Sequence, residues 1–309
     1  MPAVISHYLF GEQVLAAYNY ERYLSFDEHN AFMLGNQGPD PLYYLFTTRH
    51  MSSVHLLGTR MHRENVDHEI DVMRSYVNSM GPKDREVARA YFDGFICHFM
   101  LDSVTHPLIY SQVREITSAG VPGLDGSASS EVHGLIEADL DSMMLWRLKG
   151  VDITRFRPHQ KILWANGDVL RLVDRILRYV AASVYHVSMN SDTYQTSIRN
   201  MRLVRRALWS PLGVKSSLLG AGERLFREHS LVQAMSNRPE IHETCAFSND
   251  EHAPWKVPST RETQTASFGD LFEQALERAV AAIDASDEGQ PANTYTHGLN
   301  FIGIPSVVF

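Results

Sequence analysis

Three residues able to bind a metal recur every four positions in Cys97-His98-Phe99-Met100-Leu101-Asp102-Ser103-Val104-Thr105-His106-Pro107. They are His98, Asp102 and His106. Side chains four apart on an α-helix project from one face, one turn above another. Imidazole nitrogens and a carboxylate oxygen together form a donor set suited to zinc. Phe95, Phe99 and Leu101 beside them are apolar, so the stripe is expected to point into a packed interior. Such a buried stripe is costly unless something satisfies it, and a divalent cation does so efficiently.

A second pair, His133 and Glu137, has the same spacing and can chelate one ion or serve two neighbouring ions. Asp141 continues that face and is expected to orient His133. Asp40 sits in the turn Gly35-Asn36-Gln37-Gly38-Pro39-Asp40-Pro41, whose backbone can approach a ligand closely. His62 and His7 complete the candidates. Singly, each has an ordinary explanation: a solvated helix face for His133 and Glu137, a turn residue for Asp40, a surface histidine for His62. His50, His55 and His68 dilute the His62 signal, and His7 alone carries almost no information.

Jointly, the order His7, Asp40, His62, His98, Asp102, His106, His133, Glu137 resembles the zinc-dependent phospholipase C family of bacteria, whose wider superfamily includes the P1-type nucleases. The opening Ser6-His7-Tyr8-Leu9-Phe10-Gly11 is similar to the family's N-terminal segment. Leu34 to Asp40, followed by Tyr43-Tyr44, is similar to its glycine–proline–aspartate loop, and Gly94-Phe95 to His106-Pro107 to its central zinc helix. The likeness covers roughly residues 1–145. It implies an all-α fold with two or three zinc ions at the bottom of a cleft. Carried over residue by residue, Asp40, His62, His98 and Asp102 would surround one zinc, and His106, His133 and Glu137 would hold a second. In the secreted enzymes a third zinc uses the terminal amine, an early histidine and the bridging aspartate; His7 and Asp102 match the last two.

The chain departs from that pattern in two places. Six residues precede His7, so a third site either differs in geometry or uses His7 with another partner. Pro41 follows Asp40 where the phosphatidylcholine-specific enzymes carry an aromatic residue, so a choline pocket is not implied. The implied reaction is hydrolysis of a phosphodiester, in a small molecule or a phospholipid headgroup, by zinc-activated water. Asp40 is the candidate to position or deprotonate that water, because a turn residue can reach the open side of the cluster. Two other readings stand beside it: a P1-like nuclease or nucleotidase, and a non-catalytic helical binding protein stabilised by metal.

These residues need helices to carry them, and the pattern is helical nearly throughout. Helices are expected over 10–20, 50–80, 83–106, 129–148, 165–188, 194–237 and 267–285. Gly81-Pro82 separates the second from the third, and Pro107 is expected to end the third. The breaker-rich Ala119 to Ser127 reads as a loop, 245–265 as polar and punctuated, and 286–309 as an irregular tail. No β alternation, repeat or linker is visible, which favours one domain over 1–309, with the metal-site half at 1–148 and a helical scaffold and tail at 149–309.

Composition narrows the classes. The 309 residues are 44% hydrophobic and 21% charged, ordinary for a globular chain. A net charge of −8 without a basic stripe argues against a nucleic-acid binder. Only two cysteines are present, so no disulfide framework supports the fold. Met1 to His7 lacks a basic segment and an apolar run, and no stretch of about 18 apolar residues occurs. The expectation is a cytoplasmic protein without a transmembrane helix.

Overall fold

A long helix, α5 (Pro82–Thr117), forms the axis of the molecule. It is built around the apolar run Tyr91, Phe92, Phe95, Ile96, Phe99 and Met100, all buried. The structure is a computed structural model that describes residues 3–46, 48–209 and 243–308. Before α5 come α1 (Val4–Ala17), α2 (Phe26–Gly35), α3 (Met51–Met61) and α4 (Val66–Asn78), with a 3₁₀ turn at Asp40–Tyr44. After it come α6 (Ser129–Lys149), the short α7 (Pro158–Lys161), α8 (Gly167–Val184), α9 (Thr193–Leu208), α10 (Phe268–Asp287) and the short α11 (Asn293–Thr296). The protein is all-α. Its only strand pairing among the described residues is a two-residue antiparallel ribbon, Trp255–Lys256 against Thr263–Gln264, which the sequence pattern did not predict.

Local chemistry explains several helix starts. Ser25 accepts from the Glu28 amide at α2, and Asn166 accepts from the Asp168 and Val169 amides at α8. Ser267 and Asp270 form a reciprocal capping box at α10. Each satisfies amides that lack a partner in a helix's first turn.

α2 crosses α5 with almost no space between backbones. A Cβ on Gly35 would lie 2.1 Å from the Tyr91 carbonyl oxygen, and one on Gly94 would lie 2.1 Å from that of Phe32. Two glycines facing each other are what permit this approach. The crossing sets the Asn36-to-Asp40 turn directly over the middle of α5.

Several expected boundaries differ. The helix read over 10–20 is α1, which begins six residues earlier and ends at Ala17. The helix read over 50–80 is two helices, α3 and α4, separated by a corner at 62–65 where Asn65 has φ of 51°. The helix read as ending at Pro107 continues to Thr117 with the proline inside. A proline there cannot donate to the carbonyl four residues earlier, on Ser103. The Gly303 segment packs on that point, since a Cβ on Gly303 would lie 2.4 Å from the Ser103 oxygen and 2.7 Å from Pro107 Cγ. The helix read over 194–237 is seen as α9 to Leu208, and 210–242 lies outside the described residues. The tail read as irregular contains α11 and then threads back onto the molecule, with Val307 bridging Glu64.

Candidate metal centre

All eight candidate residues converge along α5. His98, Asp102 and His106 lie on its inner face, and three other regions bring donors to them. The turn after α2 supplies Asp40, the α3–α4 corner supplies His62, α1 supplies His7 and α6 supplies His133 and Glu137. Donor atoms group as Asp40–His62–His98, as His7–His98–Asp102, and as His106–His133–Glu137, within 4.8 Å of one another in each group. His98 belongs to two groups. Asp102 stands with His7 rather than in a quartet with Asp40 and His62.

The separations are short. His62 Nε2 is 3.2 Å from Asp40 Oδ1, and His7 Nε2 is 3.1 Å from Asp102 Oδ1. His98 Nε2 is 3.4 Å from Asp102 Oδ2. Glu137 Oε1 lies 3.0 Å from His133 Nε2 and 3.4 Å from His106 Nε2. His106 Nδ1 is 3.7 Å from Asp102 Oδ2, so Asp102 sits between the two ends of the stripe.

Backbone carbonyls fix which ring nitrogen faces the cluster. His62 Nδ1 is 2.7 Å from the Gly58 oxygen, and His106 Nδ1 is 2.8 Å from the Phe301 oxygen. His98 Nδ1 is 3.2 Å from the Asn36 oxygen. A ring that donates Nδ1–H to a carbonyl leaves its Nε2 lone pair free to bind a cation, an arrangement common to metal-binding histidines. Gly38, with φ of 49°, lies against the face of His98; a Cβ there would meet His98 Cδ2 at 2.1 Å.

The donor set fits a zinc centre. His98 Nε2 and Asp40 Oδ1 are fully buried and lack a hydrogen-bond partner among the described residues. Buried polar atoms without a partner cost free energy that a shared cation would relieve. Burial pushes the His98 imidazole down to about 3, so it is neutral with a lone pair available. Burial opposes ionisation of Asp40, Asp102 and Glu137, but nearby positive charge, from His106, His98 and His7 at Asp102 and in part from histidines at the other two, outweighs it and holds all three carboxyls below the usual range. His98 thus offers a neutral nitrogen beside anionic oxygen, whereas at His106 burial lowers and the Asp102 and Glu137 carboxylates raise the imidazole, with a net push up to about 9. A void of about 10 Å³ lies among His7, Asp102, His106 and Glu137.

Several residues of the site carry no signal in the sequence. Phe301 comes from the tail, yet its ring packs against His62, His98, Phe95 and Phe99, with centroids 5.0 to 5.8 Å apart. Its carbonyl orients His106 and its amide donates to the His62 oxygen. Asn36 and Gln37 are completely buried; Gln37 Nε2 donates to the Val4 carbonyl, tying the turn to α1. Asp141 does not orient His133. It instead accepts from the Ile5 and Ser6 amides and the Ser6 hydroxyl at 2.6 to 3.1 Å. A carboxylate at the first turn of a helix satisfies its unpaired amides, so Asp141 anchors α1, and His7 with it, onto α6. His50, His55 and His68 join none of the three groups.

His133 also lines a cavity of about 810 Å³ outside the cluster. Its wall includes Arg63, Tyr110, Arg114, Ile302 and Ile304. A substrate seated there would reach the cluster at its His133 end.

The family model described as zinc dependent phospholipase C matches residues 6–187. That span contains seven of the eleven α-helices among the described residues in full and all eight candidate donors, from His7 to Glu137. No curated protein and no solved structure matches the chain.

Proposed function

The chain belongs to the zinc-dependent phospholipase C family, and we propose that it hydrolyses phosphodiester bonds at a centre of two or three zinc ions held by His7, Asp40, His62, His98, Asp102, His106, His133 and Glu137. At the coarser level it is a metal-dependent hydrolase. The observation that carries the finer reading is the sharing of His98 between two donor groups while a third group stands at the other end of the same helix face. Phosphodiester chemistry needs charge neutralised on both the attacking and the leaving oxygen, and adjacent sites on one rigid helix meet that need.

Bound zinc would neutralise the phosphate, lower the pKa of a bound water to about 7 and stabilise the leaving oxygen. The chain's own part is positioning. The Gly58, Asn36 and Phe301 carbonyls hold three imidazoles in the tautomer that presents Nε2. Asp40 remains ionised and comes from a turn rather than from the helix face, so it is placed to orient the attacking water and accept its proton. The packed rings of Phe301, Phe95 and Phe99 keep bulk water from the Asp40 end, which strengthens every electrostatic contact there.

Metal stoichiometry in the wild type and in His98→Ala tests the reading, together with assays against p-nitrophenyl phosphocholine, a plain phosphodiester, a phosphomonoester and single-stranded DNA. At least two ions per wild-type chain and diester hydrolysis are expected, with both lost in the variant. Fewer than two ions and no hydrolysis would overturn it. Preference for single-stranded DNA would point to the nuclease branch. Full metal content without turnover would favour a binding protein.

A further inference from the structure

The cavity beside His133 has a charge pattern that hydrolysis alone does not require. Arg63 and Arg114 both lie on its wall, and none of the residues lining it is acidic. Arg63 follows His62 directly, and its guanidinium hydrogen-bonds the Tyr110 side chain. The nearby carboxylate of Glu64 is taken by Arg60 at 2.7 Å. Among the described residues no carboxylate forms an ion pair with Arg63 or Arg114. The remaining wall is largely apolar, with Pro107, Val113, Ile302 and Ile304.

A quaternary ammonium group is recognised by a carboxylate or by several aromatic faces. This wall offers no carboxylate and one tyrosine, already engaged by Arg63. Two guanidinium groups without a carboxylate partner among the described residues suit the opposite charge, since arginine binds carboxylate and phosphate oxygens through paired N–H donors. We propose that the substrate is a phosphodiester bearing a second anionic group, a carboxylate or a phosphate, beside an apolar chain. Arg63 and Arg114 bind that second group while the apolar wall takes the chain. The inference rests on the reading of the donor cluster as the hydrolytic centre.

Four soluble dihexanoyl phospholipids differing only in headgroup test it: choline, glycerol, serine and inositol 4-phosphate. The zinc-loaded enzyme is expected to favour the last two over choline at least tenfold in kcat/KM, and the two arms distinguish carboxylate from phosphate. Arg63→Gln and Arg114→Gln should each narrow that ratio about tenfold, through KM. Equal or better use of the choline lipid, or loss of the same factor on all four, would overturn the inference while leaving the hydrolase reading intact. Calorimetric binding of the same four lipids gives a readout independent of turnover. A preference for the anionic pair that disappears in both variants supports the proposal, and the absence of any preference overturns it.

Discussion

At the scale of single residues, the site depends on histidines whose outer nitrogens are spoken for. Asp40→Asn keeps a neutral oxygen donor of the same shape but cannot take a proton. It is expected to retain bound metal and lose at least about 100-fold in kcat, the usual contribution of a positioned acid–base group. Metal analysis beside steady-state kinetics checks both halves; full turnover with metal bound would remove Asp40 from the chemistry. Phe301→Ala leaves the carbonyl that orients His106 but empties a fully buried ring position between four aromatic neighbours. A loss of about 3–5 kcal/mol in unfolding free energy is expected for a buried phenylalanine truncation, read by urea denaturation. Five of the eight candidate donors, those on α5 and α6, were legible from ligand types at helical spacing, whereas His7, Asp40 and His62 entered only through the resemblance of the whole order to the family. Phe301, Asn36 and the Gly58 carbonyl were not legible, because a carbonyl leaves no mark in a sequence and an isolated phenylalanine resembles any core residue.

At the scale of elements, the critical contacts are those where backbone meets backbone. Gly94→Ala would place a Cβ against the Phe32 carbonyl, which can move only if α2 moves. Overpacking costs about 1–3 kcal/mol, more where backbone must shift, and α2 carries the Asp40 turn. The variant should therefore lose metal affinity as well as stability, measured by metal titration and thermal unfolding. Unchanged metal binding would mean that the turn is held independently of the crossing. Most helices were readable from period and breakers, with ends moved by a few residues. Two departures have physical causes. Pro107 does not end α5, because the helix there is held by packing on both sides and the Gly303 segment covers the Ser103 carbonyl. The run over 50–80 breaks at 62–65, where Asn65 takes a left-handed conformation and the Asn65 amide donates to the Val307 carbonyl instead of continuing the helix.

At the scale of the whole molecule, both ends of the described chain reach the same helix. His7 arrives on α1 and Phe301 on the returning tail, and they close on α5 from two directions. Elsewhere α5 contains a buried carboxyl, Asp93, that burial pushes up from 3.8 to about 7, against the opposing effects of the Tyr23 hydroxyl and Arg22. The folded state thus favours the protonated form. Its cost is absent below about pH 4, grows as pH rises, and is complete above about pH 7, at about 1.4 kcal/mol per pH unit at most. Asp93→Asn should therefore gain stability relative to the wild type across that window, and parallel stability curves from pH 4 to 8 would contradict this. The sequence by itself determined an all-α chain with metal-binding residue types at one-turn spacing, because helical period and ligand chemistry are local properties written in neighbouring residues. Only the tertiary structure decided how the donors divide. His98 is shared, Asp102 stands with His7, Asp141 anchors α1, and the tail orients His106. Those assignments depend on which segments distant in the chain meet across α5, and that is settled by packing rather than by spacing.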